Sequence, residues 1–187
     1  MFSALYLIIY LAIASAIPDS THNSLRDKAN KVYPETQVSV LGYSLVFQVF
    51  LKEGPLVSES YYQEAIKVAS QLSLKEIQAN HNKSCDQKSK LDIFQVSFSE
   101  LNAPNHIADN HSDLGSLWGI FDPHVKDNKD MIVVANHTYY STHVIVAHEI
   151  AHYWAERLCI SDYKNTSSEE FARTIERRYV DYYNSNL

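Results

Sequence analysis

The 187-residue chain is poor in the residues that break or staple structure: it has 4 Gly, 5 Pro and 2 Cys. So little Gly and Pro excludes a low-complexity linker or a collagenous repeat, and no internal repeat suggests a solenoid. Basic charge is also short, with 16 Lys and Arg against 22 Asp and Glu and a net charge of -6. That balance argues against a nucleic-acid partner, because phosphate binding relies on clustered cations and the longest cluster is the pair Arg177 and Arg178. What remains, 45% hydrophobic and 20% charged, is the composition of one ordered globular domain.

A hydrophobic run long enough to cross a bilayer, about 20 residues, is missing as well. The apolar stretch Met1 to Ile17 is shorter and ends in Ala14-Ser15-Ala16, a small-x-small pattern that a signal peptidase cuts, although no Lys or Arg precedes it. Residues 1–16 therefore read as a signal peptide and 17–187 as a single secreted domain without stable membrane insertion. In an exported protein the two cysteines, Cys85 and Cys159, are expected to form one disulfide. Sequons at Asn82, Asn110, Asn136 and Asn165 are candidate glycan acceptors.

The pattern beyond residue 36 alternates strand and helix signals. Gln37 to Lys52 reads as one strand ended by Gly54-Pro55, Ser58 to Asn80 as a helix capped by Ser58 or Ser60, and Leu91 to Phe98 as a strand. Asn102 to Asp113 reads as a loop, and Leu117 to Phe121 with Met131 to Ala135 as a hairpin. A helix follows over Thr142 to Leu158 and a last one over about Ser167 to Asn184. This order predicts an α+β domain, one mixed sheet covered by helices.

The chemistry concentrates on the first of those two C-terminal helices, in His148-Glu149-Ile150-Ala151-His152. Histidines four apart share one helix face and can converge on a single metal ion, for which neutral imidazole suits Zn²⁺. Glu149 emerges beside the pair as a candidate general base. Val144-Ile145-Val146-Ala147 is apolar on all sides, so the helix is expected to be buried. A catalytic zinc has three protein ligands, and the third is expected among Glu169, Glu170 and Glu176. On the last helix Phe171, Ile175, Tyr179 and Tyr182 form the buried stripe, with Ala172, Glu176 and Tyr183 beside it, Glu169 at its edge and Glu170 pointing away. Thr166-x-x-Glu169 and Ser167-x-x-Glu170 also fit capping boxes, which gives both glutamates a purely structural alternative. Glu176 is placed either to orient a ligand histidine or to pair with Arg173.

His148 to Trp154 followed by Ser168 to Glu176 resembles the zinc site of gluzincin metallopeptidases, in whose aminopeptidase N branch HELAHQW is followed by NEGFA, aligning with Ser168 to Ala172. The resemblance implies a zincin-like domain with Zn²⁺ ligands at His148, His152 and Glu169 and Glu149 as general base. A small residue at Ala172, which recurs in such sites, favours Glu169 over Glu170. Two departures limit the likeness: the 16 residues between His152 and Glu169 are two fewer than in the aminopeptidases, and no amine-anchoring GxMEN-type segment is present, so aminopeptidase specificity does not carry over. With 18 residues beyond Glu169, no large C-terminal helical domain of the thermolysin-like kind is expected.

Leu117 to Pro123 with Met131 to Val134 resembles the hairpin ahead of the metal helix in small zincins, where the second strand lies along the cleft and pairs with extended substrate. Candidates for the group that stabilises the oxyanion are Tyr139, Tyr140, His143, Tyr179, Tyr182 and Tyr183. The other histidines, His22, His81, His106, His111, His124 and His137, read as loop residues, with a second metal at His106, Asp109, His111 and Asp113 as a minor alternative. The expectation is therefore a secreted zinc metallopeptidase acting on a peptide or protein substrate. The alternatives are a secreted zinc-binding protein without catalytic activity, or a domain whose HExxH is fortuitous.

Overall fold

The computed structural model describes residues 19–52, 58–80, 90–101, 119–122, 129–136, 142–157 and 168–186. The expected signal peptide, Cys85, Cys159, the sequons at Asn82, Asn110 and Asn165, the loop 102–113 with its second-metal cluster, and Tyr139 and Tyr140 lie outside them. The elements run α1 (Asp19–Asp27), β1 (Lys31–Val32), β2 (Thr36–Val40), β3 (Tyr43–Leu51), α2 (Glu59–Asn80), β4 (Lys90–Ser97), α3 (Phe98–Leu101), β5 (Gly119–Asp122), β6 (Lys129–Asn136), α4 (Thr142–Arg157) and α5 (Ser168–Ser185).

The protein is α+β, with one mixed sheet and helices on both of its faces. β3, β4 and β6 are parallel neighbours at its centre; β5 pairs antiparallel with β6 at one side, and β1 and β2 pair antiparallel with β3 at the other. The central strands are continuous apolar runs, Leu91 to Val96 and Met131 to Ala135, apart from Asp92 and Gln95, because both of their faces are covered. On one face Leu45, Phe47, Val49, Leu91, Ile93, Ile132 and Val134 meet the apolar sides of α2, α4 and α5. The alternate residues, Phe50, Phe94, Val96, Met131 and Val133, meet Leu25 of α1 and Leu101 of α3, with Phe50 stacked on Phe94 at 4.8 Å.

Two expectations about this frame need correction. The run 37–52 is two strands, because Leu41 (φ 50°) and Gly42 (φ 84°) both take the left-handed conformation and make a two-residue hairpin turn. The buried positions change phase at the turn, from Val38 and Val40 to Leu45, Phe47 and Val49, but apolar Leu41 keeps the second phase and hides the break, and only glycine adopts such a φ freely. The polar N-terminal stretch is also structured: α1 covers it, so His22 lies in a helix and not in a loop.

Polar anchors fix the helices to the sheet. Ser58 Oγ accepts the Tyr61 N–H at 3.3 Å and caps α2, whose Tyr62 hydroxyl donates to the buried Gln95 Oε1 at 2.5 Å. Asp92 and Asp130, both buried on the central strands, are paired by guanidinium groups: Arg26 of α1 donates to Asp92, and Arg157 at the end of α4 donates to both carboxylate oxygens of Asp130. A buried carboxylate without a cation is costly, so the Asp130–Arg157 pair fixes the end of α4 over the sheet. Among the described residues, no helix is long and apolar enough to cross a membrane.

Candidate metal centre

α4 is buried along most of its length, as its apolar first half predicts. Val144 to Ala147 and Ile150 to Ala151 pack into the core, which leaves His148 and His152 turned toward α5, with side chains 16% and 17% exposed. α5 buries Phe171, Ala172, Ile175 and Tyr179. Tyr182, expected in that stripe, is instead 41% exposed, and the stripe continues at Tyr183, one turn beyond Tyr179, whose ring packs against His143 of α4.

This packing brings His148, His152 and Glu169 together. The two Nε2 atoms are 3.2 Å apart, and each is 3.4 Å from Glu169 Oε2. Those edges are too long for the charge-assisted N–H···O contact of about 2.7–2.9 Å that an imidazolium and a carboxylate would close to. They suit ligands of one tetrahedral ion, since bonds of about 2.0–2.1 Å put ligand atoms about 3.4 Å apart. Two imidazoles and a carboxylate are a donor set for Zn²⁺ and for other divalent ions that accept nitrogen and oxygen.

The supporting contacts favour the same use. His148 Nδ1–H donates to Glu176 Oε2 at 2.8 Å, which in the neutral ring leaves the Nε2 lone pair facing Glu169 and His152. Of its two expected partners Glu176 thus takes His148, and Arg173 instead donates to Glu169 Oε1 at 2.9 Å. Glu170 is exposed and outside the cluster. Burial pulls the His148 imidazole down, but the neighbouring Glu169 and Glu176 carboxylates outweigh it and raise its pKa to about 10. The neighbouring imidazoles, His148 first and then His152, hold the Glu169 carboxyl well below the ordinary range.

Glu149 lies on the inner side of α4, 5% exposed. Burial pushes its carboxyl up, against the pull of the His152 and His148 charges. Its carboxylate rests on the backbone of β5 at Gly119: a Cβ there would fall 2.6 Å from Glu149 Oε1, 2.9 Å from Glu149 Cγ and 2.8 Å from Ile145 Cγ2. Only glycine allows that approach. Gly119 was not singled out from the sequence, although a lone glycine in a β-prone run is a known sign of close backbone contact.

The hairpin of β5 and β6 forms, but with its roles exchanged. β6 has β4 on one side and β5 on the other, so the second strand cannot pair with another chain; among the described residues the open edge belongs to β5. Of the oxyanion candidates, His143 and Tyr179 are both buried, with His143 Nδ1 and the Tyr179 hydroxyl 3.0 Å apart. The rings of Tyr61 and Tyr183 pack against the same imidazole, at 5.0 and 4.4 Å. These are packing contacts among α2, α4 and α5. No protein-family model matches the chain, and no curated protein matches it.

Proposed function

We propose that the chain is a secreted, zinc-dependent peptide hydrolase with a zincin-like catalytic domain of the gluzincin type. The observation that carries this reading is the triangle of His148 Nε2, His152 Nε2 and Glu169 Oε2, with edges of 3.2, 3.4 and 3.4 Å and the buried Glu149 alongside. His148, His152 and Glu169 would hold Zn²⁺, which when bound supplies a Lewis acid toward water and a substrate carbonyl.

The chain's own residues account for the remaining chemistry. Glu149, with its carboxyl raised by burial, is suited to take a proton from water and later return it to the leaving nitrogen. Gly119 sets how far that carboxylate stands from β5, and Glu176 keeps the His148 ring in the tautomer and orientation a ligand needs. The side of β5 away from β6 meets no other strand among the described residues; next to Glu149 it would offer N–H and C=O groups to an extended chain, which favours a peptide over a small-molecule substrate. The apolar segment ending at Ala16 supports export.

Substitution Glu149→Gln tests the reading. Peptide hydrolysis should fall by about 100-fold or more, while zinc content and folding stay as in the parent. A parent that binds zinc and cleaves nothing in a diverse peptide set would instead be a metal-binding protein without catalytic activity. A folded parent that takes up no zinc would overturn both.

A further inference from the structure

The three groups of the metal triangle are not held alike. The two imidazoles are largely buried, and His148 is fixed from behind by Glu176. The Glu169 side chain is 47% exposed and turns on flexible single bonds. A carboxylate so placed can offer a metal one oxygen or both, and the second oxygen would fill a position that a catalytic site must keep for water.

Arg173 decides between these. One turn beyond Glu169 on α5, its Nε–H donates to Oε1 at 2.9 Å, so that only Oε2 faces the two Nε2 atoms. As an exposed i,i+4 ion pair this contact adds little to stability; its effect is on the geometry of the carboxylate. Resting on the metal-site reading above, we propose that Arg173 is a positioning residue that keeps Glu169 a one-oxygen ligand and thereby holds a coordination position open. It restrains Oε1 through a directional hydrogen bond, which a distant positive charge would not do.

The test uses Co²⁺, whose visible spectrum reports coordination number, added to the purified full chain and to the variants Arg173→Ala and Arg173→Lys. Arg173→Met retains the aliphatic stem and serves if the alanine variant folds poorly; melting of the metal-free proteins provides the folding control. The parent should give the intense spectrum of four-coordinate Co²⁺. Arg173→Ala, or Arg173→Met in its place, should give the weaker five-coordinate spectrum, and Arg173→Lys should return toward the parent. A spectrum unchanged by removing Arg173, or a parent that is already five-coordinate, would overturn the proposal. Failure of the parent to take up Co²⁺ at all would remove the metal-site reading itself, which is a distinct result.

Discussion

Replacing Gly119 by alanine should damage the site far more than the fold. The added Cβ would stand 2.6 Å from Glu149 Oε1, and ordinary contact begins near 3.4 Å, so the carboxylate must retreat by about 0.8 Å. Ile145 Cγ2, at 2.8 Å on the same helix, must give way as well, so a turn of the Glu149 side chain alone does not relieve the contact. Overpacking of this kind costs about 1–3 kcal/mol, and the stiffer unfolded chain returns about 0.4–1 kcal/mol. A net loss of about 1–2 kcal/mol corresponds to a fall in Tm of about 2–8 °C for a domain of this size. A displaced general base is more serious, since a misplacement of about 1 Å costs about 100-fold in rate. The expected pattern is a modest fall in Tm, an unchanged zinc content and peptide hydrolysis reduced about 100-fold, measured on one preparation by calorimetry, elemental analysis and cleavage of a quenched peptide. Hydrolysis within twofold of the parent would refute the claim that Gly119 sets the position of Glu149.

Three further outcomes follow from contacts elsewhere. Glu176→Gln weakens the hold on His148 Nδ1 and should lower metal affinity by about 10–100-fold, read by competition with a chelator. Arg157→Met leaves the carboxylate of Asp130, 1% exposed, without its guanidinium and should cost about 3 kcal/mol in urea unfolding. His143, whose pKa burial lowers from its ordinary 6.5, takes up its proton in the unfolded chain first. Its contribution is therefore intact above about pH 6.5 and is lost as pH falls toward the folded-state value. His143→Gln should flatten that acid limb relative to the parent, and equal slopes would contradict it.

The sequence was most informative where period and chemistry coincide. The helix α4, its burial and the convergence of His148 with His152 follow from a four-residue spacing within an apolar run, and Glu169 lies where the next helix brings it within 3.4 Å of both. Glu176 was open between two partners because both lie within its reach; only the packed angle of α5 against α4 settles on His148. The hairpin at Leu41 and Gly42 was hidden because apolar Leu41, in phase with Tyr43 and Leu45, extends the alternation of β3 back over the turn, although the buried residues of β2 are Val38 and Val40, in the opposite phase. The exchange of β5 and β6 was invisible for a different reason: two short β-prone segments specify a pairing, whereas the partner on the other side of β6 is β4, more than 30 residues earlier in the chain. Non-local pairing of this kind carries no local signature.

The three parallel strands β3, β4 and β6 are complete by Asn136, and every donor atom of the metal triangle lies beyond that residue, on α4 and α5. During synthesis the ribosome therefore releases the entire sheet, with α2 against one face and α1 and α3 against the other, before the first ligand appears. A metal held there would join the fold after its sheet is made, and its removal should disable the site while leaving the sheet in place. Here the three donor groups come last and come together, an order that would suit a metal inserted, exchanged or withheld once the sheet is formed.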